Sequence, residues 1–432
     1  MRSDAAVRAR SVALVSLLML SCDVVDHTEP SLVITHVTVI DATGRPPMAD
    51  MTVVIAGGRI QRIDAAHMVS PIPGAEEVDG SGKYLIPGLW DTHVHLSLYG
   101  EASLPAMIRN GVTGVLDLGG DLTQLDHWRD EIGNGQRIGP RIYRSGPFVD
   151  GYKSDEVSGR LSSTLTVENP EAAVQAVQDL KKQGVDVIKV HNALPRDAFF
   201  ALAEAARIRN LPFVTHLPQS VSAREASESG TKSLNHTETL LESAIYHEGA
   251  RNIDEAIAWV EGEHGQALFD HLAKNSTWFV PTLVAYYRGV VQSQPDPEMT
   301  EAAKALHRRL IAVVGSMHRS GVRLLVGSDC AWDEVGILPG VDTHSEIIFL
   351  VEAGLTPMAA LRSATALPAE YLGLSDRLGT IEVGKAADLL LLQRDPTEDI
   401  ENIRSIDAVI VGGKLVFPEV GNGSSNEAQA SN

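Results

Sequence analysis

The sequence predicts an α/β protein in which a (β/α)8 barrel carries a small β-sandwich domain built from both ends of the chain. Short apolar runs alternate with helical segments through the middle of the chain, as in a parallel barrel. Both ends instead carry pairs of β-type runs joined by Gly-Gly, which is typical of hairpins. The 432 residues accommodate a barrel of about 250 residues together with a smaller domain.

The composition argues against one class of partner. The chain has 36 Lys and Arg against 56 Asp and Glu, a net charge of −20, whereas nucleic acid binding requires a basic surface. We therefore expect no nucleic acid partner. An acidic surface otherwise favours solubility.

Residues 1–22 resemble the export signal of a bacterial lipoprotein. The segment begins with three arginines, Arg2, Arg8 and Arg10. The apolar stretch Ser11–Leu20 follows and is too short to span a bilayer as a mature helix. It ends at Met19–Cys22, which resembles a lipobox and implies that Cys22 is lipidated and begins the mature protein. Asp23 then implies retention at the periplasmic face of the inner membrane, with the lipid as the only membrane anchor.

An ordinary cleaved secretory signal or a membrane anchor is the alternative for this segment. Residues 23–30 are expected to form a linker. If Cys22 is acylated, Cys330, the only other cysteine, has no partner for a disulfide within the chain.

The β-sandwich is predicted from two separate pieces of the chain, residues 31–84 and 376–417. Gly57–Gly58 joins two β-type runs in the first piece, and Gly412–Gly413 does the same in the second. The polar residues 418–432 predict a disordered tail.

The barrel is predicted over residues 85–375. Its first strand leads to His93–His95, and seven more apolar runs follow: Val112–Leu118, Arg141–Ser145, Val185–Val190, Pro212–Leu217, Ser233–His236, Trp278–Leu283 and Val322–Val326. Helices are predicted at Pro170–Gln183, Arg196–Asn210, Ser220–Ser229, Ile253–Lys274, Glu298–Ser320, His344–Ala353 and Pro357–Leu372. Because the active site of such a barrel lies at the carboxyl ends of its strands, residues that follow the strands are the candidates for function.

The first candidates are His93 and His95. Residues two apart on a strand point to the same side, so both imidazoles can reach one ion, and neutral imidazole is the commonest metal ligand among side chains. Taken alone, the pair fits two unrelated histidines equally well. Further ligands at later strand ends would distinguish the two interpretations.

Four later strands do end in residues of ligand type: Lys189, His216, His236 and Asp329, on strands four, five, six and eight. Each has an ordinary structural explanation, such as a lysine that reaches solvent, a histidine that caps a loop or an aspartate in a turn. Six such residues at the ends of five strands of one barrel indicate a metal site.

Six segments carry short motifs that follow one another in the order of a known family: Leu85–His95, Asp186–Val190, Phe279–Leu283, Val326–Asp329, Glu352–Pro357 and Leu378–Asp388. They resemble the amidohydrolase superfamily, in particular its branch of imidazolonepropionase-like proteins and Xaa-Pro dipeptidases. The resemblance covers nearly all of residues 31–417. It implies a metal-dependent hydrolase that cleaves a C–N bond in a small-molecule amide, a cyclic amide or a short peptide.

The resemblance also implies a role for each ligand candidate. His93 and His95 would hold the more buried of two divalent metal ions, and His216 and His236 the more exposed one. Lys189 would bridge the two ions as a carbamate formed with CO2, because an ammonium group would repel them. The mixed nitrogen and oxygen ligand set suits zinc, with manganese, cobalt or iron as alternatives.

Two such ions would share a hydroxide that attacks the substrate. Asp329 is expected to ligate a metal, to take the proton of the attacking water and to pass it to the leaving nitrogen. The same hydroxide would also attack lactones, esters or phosphotriesters or would drive a deamination, so these reactions are alternatives. A catalytically inactive binding lipoprotein is a further alternative, although the complete ligand set argues against it.

Substrate contacts are expected from the loops that follow the strands. The candidates are Tyr143, Arg144, His191, Tyr286 and His344, together with Asn192, Tyr287, Trp332, Asp333 and Glu346. An Arg, His or Tyr among them would bind a substrate carboxylate, although surface exposure or packing explains most of these residues. The loop Phe148–Ser154 lacks the Gly-Gly-His triplet of many relatives, which argues against carrying the dipeptidase substrate over to this chain.

Overall fold

The computed structural model describes residues 29–151, 163–331 and 336–417. Its strands are β1 (Pro30–Val39), β2 (Met48–Ala56), β3 (Arg59–Ala65), β4 (Glu76–Asp79), β5 (Tyr84–Pro87), β6 (Leu89–Val94), β7 (Val112–Asp117), β8 (Arg141–Arg144), β9 (Phe148–Asp150), β10 (Thr164–Thr166), β11 (Ile188–Val190), β12 (Phe213–His216), β13 (Ser233–Asn235), β14 (Trp278–Val280), β15 (Leu389–Leu392), β16 (Ile406–Val411) and β17 (Lys414–Phe417). Cys22, Trp332, Asp333 and the tail from residue 418 lie outside the described residues.

The α-helices are α1 (Leu96–Tyr99), α2 (Ser103–Arg109), α3 (Leu122–Gly133), α4 (Pro170–Lys182), α5 (Arg196–Ile208), α6 (Ala223–Glu228), α7 (Glu238–His247), α8 (Ile253–Glu261), α9 (Glu263–Lys274), α10 (Leu283–Tyr286), α11 (Pro297–Arg319), α12 (Val341–Glu352), α13 (Pro357–Ser363) and α14 (Ala366–Leu372). Short 3-10 helices lie at Ala66–Met68 and Ile400–Arg404, and a π-helical segment at Tyr287–Gln292. Within the described ranges, no helix combines the length and the apolar character needed to cross a bilayer.

Both ends of the chain contribute to one mixed sheet of eight strands, in the order β17-β16-β15-β5-β1-β2-β3, with β4 paired to β1. The two predicted hairpins are antiparallel ladders within it. Their turns, Gly57–Gly58 and Gly412–Gly413, have positive φ throughout and contact each other, since a Cβ on Gly58 would lie 2.9 Å from the Gly412 carbonyl oxygen. Glycine therefore serves both the turn geometry and the close approach.

The mixed sheet separates two hydrophobic cores. Leu389 and Leu391 of β15 belong to a small core together with Leu85, whereas Leu390 and Leu392 belong to the large core. This alternation follows from the two-residue period of a strand. Both chain ends thus share one sheet as expected, while the division into the two facing sheets of a sandwich stays a prediction.

The central strands form two parallel sheets, β6-β7-β8 and β10-β9-β11-β12-β13-β14. Between them, the backbone N–H of Asp186 donates to the carbonyl oxygen of Arg144 at 2.9 Å. The chain is thus an α/β protein with parallel sheets, and its described ladders do not join into the single closed sheet that the sequence predicts.

The expected eighth strand forms no ladder among the described residues. Isolated parallel bridges at Leu324 and Cys330 connect this segment to β14 and β6 respectively. Between them, Asp329 adopts a φ of 59°, and Gly327 passes so close to the first strand that a Cβ would lie 2.7 Å from the His93 Cβ. This irregular backbone brings Asp329 next to β6. It takes the place of the regular strand pairing that the sequence predicts for this segment.

Two helices that the sequence predicts as continuous are each divided. Residues 253–274 form α8 and α9, because Gly262 adopts an extended backbone (φ −87°, ψ −167°) between them. Residues 357–372 form α13 and α14, which are separated at Thr365 with φ −137° and ψ −84°. In addition, β9 pairs with β10 and β11 where the sequence predicts a loop. None of these differences displaces a strand end that carries a candidate ligand.

Candidate metal centre

The six ligand candidates line one cavity of about 270 Å³: His93, His95, Lys189, His216, His236 and Asp329. Three of them, His93, His95 and Asp329, each place a ligand atom within 4.8 Å of the others. The structure therefore brings together residues that lie up to 236 positions apart in the sequence.

Strand ends position these side chains. His93 lies on β6 and His95 directly after it, while Lys189 lies on β11. His216 is the last residue of β12, and His236 directly follows β13. Because neighbouring parallel strands end at the same edge of a sheet, the side chains at these ends face a common space.

Nitrogen atoms of three histidines lie close to the Asp329 carboxylate. Its Oδ1 lies 3.2 Å from His93 Nε2 and 3.1 Å from His95 Nε2, and its Oδ2 lies 4.0 Å from His236 Nδ1. Lys189 Nζ lies 3.2 Å from His93 Nε2. The rings of His236 and His216 lie next to each other, with their centroids 4.6 Å apart.

Burial controls the charges at the site. Burial, reinforced by the neighbouring positive groups, holds the pKa of His93, His216 and His236 well below the usual value for histidine. The same desolvation lowers the pKa of Lys189 to about 7, although the nearby Asp329 opposes this shift. The three histidines are therefore neutral at pH 7 and have a lone pair available for a metal ion.

The geometry at His95 fits a cation. Its Nδ1 lies 3.2 Å from the carbonyl oxygen of Gly119, which can only accept a hydrogen bond, so a neutral His95 carries its proton on Nδ1. Its Nε2 then presents a lone pair to the Asp329 carboxylate oxygen 3.1 Å away. An imidazole nitrogen and a carboxylate oxygen at this separation can both serve as ligands of one metal ion.

Two buried carboxyl groups accept hydrogen bonds from the backbone around the end of β6. Asp91 accepts hydrogen bonds from the backbone N–H groups of His93 (3.2 Å) and Ser328 (3.0 Å) and from the Thr343 hydroxyl (2.7 Å). Burial raises the pKa of Asp91 to about 6. Asp117 accepts hydrogen bonds from the backbone N–H groups of Leu96 and Gly119, which follow β6 and β7. The bond from Ser328 to Asp91 joins β6 to the segment that carries Asp329.

Three residues around the site have a left-handed backbone conformation. His236, Thr282 and Asp329 have φ of 70°, 51° and 59°, values that residues other than glycine rarely adopt. The Thr282 hydroxyl oxygen lies 2.9 Å from His236 Nδ1. Thr282 therefore orients the imidazole of His236 through this contact.

Of the predicted substrate residues, His191 lines the cavity. Its Nδ1 donates to the Asp150 carboxylate at 2.7 Å. Tyr143 instead packs on Trp90, with ring centroids 5.7 Å apart, and Arg144 forms ion pairs with two aspartates outside the cavity wall.

The other substrate candidates within the described residues also lie off the cavity. Tyr286 and Tyr287 pack on His307, and the carbonyl oxygen of Asn192 accepts a backbone hydrogen bond from residue 219. His344 donates from Nε2 to a backbone carbonyl at 2.8 Å and lines a separate cavity with Arg109 and Arg404.

Two carboxyl groups near the site have features that sequence reasoning missed. Glu238 lines the cavity, and burial together with Asp329 raises the pKa of Glu238 to about 8; its position two residues after His236 was an available signal. Glu346 appeared in the sequence only as a possible substrate contact. It accepts hydrogen bonds from the backbone N–H groups of Leu283 (3.1 Å) and Val284 (2.9 Å).

Comparison with known proteins now decides the family. Residues 84–416 match the amidohydrolase family. The chain belongs to this family. The resemblance that the sequence motifs indicate is thereby confirmed.

The relatives of this amidohydrolase are named as several different enzymes. It is 26% identical to the adenine deaminase of Rubrobacter xylanophilus, over 89% of this chain and 58% of that protein. It is 23% identical to the imidazolonepropionase of Thermoplasma acidophilum, over 88% of this chain and 92% of that protein. A solved structure of a candidate prolidase from Bifidobacterium longum is 26% identical, with a TM-score of 0.71, over 90% of this chain and 95% of that one. The chain therefore spans little more than half of the length of the adenine deaminase.

Proposed function

We propose that this amidohydrolase hydrolyses a C–N bond in an amide, a cyclic amide or a short peptide, with two divalent metal ions held at the strand ends. The observation that carries the proposal is the convergence of His93, His95 and Asp329, whose ligand atoms lie within 4.8 Å of one another. Family membership supports the reaction class. The strand-end placement fits a (β/α)8 barrel closed by the segment that carries Asp329.

The donor set fits two metal ions. His93 and His95 would hold one ion with Asp329, and His216 and His236 would hold the second. These imidazoles and carboxylate oxygens are suitable ligands for zinc. When bound, the ions supply Lewis acidity, which polarises a carbonyl group and lowers the pKa of a coordinated water.

We propose that Lys189 joins the two halves of the centre as a carbamate. Its side chain is almost completely buried, and His93 Nε2 is the polar partner recorded for its Nζ among the described residues. Addition of the neutral amine to CO2 releases one proton and leaves an anionic carbamate with two oxygen ligands. That product removes the penalty of an unpaired buried ammonium group.

We propose that Asp329 moves the proton. Its side chain is 26% exposed and lines the cavity that substrate would enter. Its carboxylate would accept a proton from the attacking water and deliver it to the leaving nitrogen, because an unprotonated amide nitrogen leaves poorly.

The metal assignment is tested by elemental analysis of purified wild-type protein and two lysine variants. We expect about two ions per chain, as in two-metal hydrolases. Lys189→Ala should lose metal and activity, and short carboxylic acids should partly restore both. Lys232→Ala is the matched control, since Lys232 packs over the Tyr371 ring away from the cavity. Full metal content and activity in Lys189→Ala would refute the bridge.

The reaction class is tested by screening metal-loaded protein against N-acyl amino acids, Xaa-Pro dipeptides and cyclic amides, with lactones, nitrophenyl esters and phosphotriesters beside them. Turnover of C–N substrates above that of the esters is the expected result. Hydrolysis restricted to lactones, esters or phosphotriesters would overturn the proposed bond class.

A further inference from the structure

A glycine occupies an unusual position in the wall of the cavity that holds the ligand candidates. Gly289 lies within the π-helical segment Tyr287–Gln292 and lines the cavity together with Ala285, which lies one turn earlier. π-helical turns are rare and occur frequently at functional sites. Glycine inside a helix is unfavourable relative to alanine, so its presence at this position requires an explanation.

The two usual structural reasons for a glycine do not apply to Gly289. Its backbone does not have a positive φ. A Cβ placed on it meets no described atom within 4 Å, so no described neighbour excludes a side chain. The space in front of Gly289 is therefore the open cavity itself.

A buried carboxylate holds the wall around Gly289 in place. Asp342 is fully buried, and its Oδ1 accepts hydrogen bonds from Arg288 Nη2 at 2.7 Å and Nε at 3.2 Å. Its Oδ2 accepts from the backbone N–H of Leu338 at 2.7 Å, next to Ile337, which lines the cavity. Asp342 thus joins two parts of the wall, so a side chain added at Gly289 would take space from the substrate instead of displacing the wall.

We propose that Gly289 determines the size of the acyl group that the site accepts, and that the substrates are amides with a short aliphatic acyl group. This inference rests on the proposed function and names its substrate class. The acyl group stays bonded to the carbon at which the C–N bond breaks, so it occupies the cavity throughout the reaction. Burial of its methylene groups against the apolar part of the wall stabilises the complex; this part includes Leu98, Phe148, Ala331 and Ile337.

The volume of the cavity limits the length of the acyl group. About 270 Å³ is just below the range of about 300–1,000 Å³ typical of small-molecule sites, so a long chain does not fit. A leucine side chain at position 289 would fill a large part of this space, whereas the methyl group of an alanine would fill little of it.

The first test concerns the glycine itself and requires neither metal nor activity. Gly289→Ala keeps the helical backbone and restricts the unfolded chain, so the Tm of the metal-free protein should rise by about 1–3 °C. A Tm equal to or above that of the wild type shows that folding does not require the glycine. A lower Tm would mean that the glycine is structural and would overturn the inference.

Binding gives the second test and does not depend on turnover. Acetohydroxamic and butyrohydroxamic acid share one chelating group and differ by two methylenes. Calorimetry on metal-loaded wild-type protein should show about 10- to 20-fold tighter binding of the butyro compound, at about 4-fold for each buried methylene. Gly289→Leu should lower this ratio to about 1 or less, and Gly289→Ala should give an intermediate value.

The control variant is Gly133→Leu, which makes the same substitution outside the cavity. Gly133 is the exposed last residue of α3, and a Cβ on it also meets no described atom within 4 Å. This variant should keep the wild-type ratio. An unchanged ratio in Gly289→Leu, or tighter binding of the aceto compound to the wild type, would overturn the inference.

Catalysis separates this inference from the proposed function. The acetyl and butyryl 4-nitroanilides are compared by kcat/KM in the wild type, Gly289→Leu and Gly133→Leu, and Gly289→Leu should lose the preference for the butyryl compound. If the hydroxamic acids show the ratio that depends on Gly289 while no amide is hydrolysed, the size selection stands and the proposed function fails. If amides are hydrolysed with a ratio that does not depend on Gly289, the proposed function stands and the inference fails.

Discussion

Glu346 offers a direct test of how the site is held together. Its buried carboxyl accepts hydrogen bonds from the N–H groups of Leu283 and Val284 at the start of α10, next to Thr282, which contacts His236. Glu346→Leu leaves both N–H groups buried without an acceptor. Each unsatisfied group costs about 1–3 kcal/mol, so we expect the free energy of unfolding to fall by about 2–6 kcal/mol.

The pH dependence provides an independent check on Glu346. Burial raises its pKa to about 8, above the ordinary value of 4.5, so the folded protein holds a proton that the unfolded chain releases between these values. The contribution of Glu346 to stability is therefore complete below pH 4.5 and is lost as the pH rises through 8, by up to about 1.4 kcal/mol per pH unit. Glu346→Gln cannot titrate, so its deficit relative to the wild type should shrink over that window.

The assay is urea unfolding of the wild type, both Glu346 variants and Glu352→Gln between pH 5 and pH 9. Glu352 is the control, because it ends the same helix and is exposed. The control should stay within about 0.5 kcal/mol of the wild type, as surface substitutions do. A Glu346→Leu variant as stable as this control, or a Glu346→Gln deficit that grows with pH, would refute the reasoning.

Four further predictions concern individual residues. Asp329→Asn should lower amide turnover by about 10²–10⁴-fold and nitrophenyl ester turnover by less, and equal losses would reduce the role of Asp329 to metal binding. Thr282→Val removes the contact to His236 Nδ1 and should weaken metal binding by about 10- to 100-fold, measured by competition with a chelator; an unchanged metal affinity would contradict it. His344→Ala should leave turnover of small amides unchanged, because the described structure places His344 in a separate cavity, while thermal unfolding should show a lower Tm. Cys22 is proposed to be the lipidated first residue at the periplasmic membrane face, and mass spectrometry of the mature N-terminus should find acylated Cys22; a soluble form that begins at another residue would disprove it.

The grouping of the ligand candidates in one cavity could be predicted because its signals are local. Strand ends in a parallel arrangement share an edge, so the order of apolar runs placed His93, Lys189, His216 and His236 in one cavity without coordinates. Asp329 was predicted in the same way, although its strand is reduced to isolated bridges. The hairpins were equally predictable, since consecutive glycines with positive φ dictate the turn.

Substrate residues were harder to predict, because a loop residue is adjacent to the site in sequence whether or not its side chain points there. Tyr143 and Arg144 lie on the expected third strand itself, which the structure forms as β8, yet one packs on Trp90 and the other binds Asp126 and Asp186. The partner of each side chain therefore depends on residues far along the chain.

By itself, then, the sequence determined the family, the α/β character and the set of ligand candidates, since these follow from periodicity, strand order and motifs. Only the tertiary structure decided which carboxyl groups form hydrogen bonds with the backbone near the ligand candidates. Asp91 reaches Thr343 across 252 positions, and Glu346 reaches Leu283 across 63. Only the tertiary structure also placed Glu238 in the cavity wall. Burial and the balance of charges depend on residues that long-range packing brings together, and for that reason neither could be determined from local sequence.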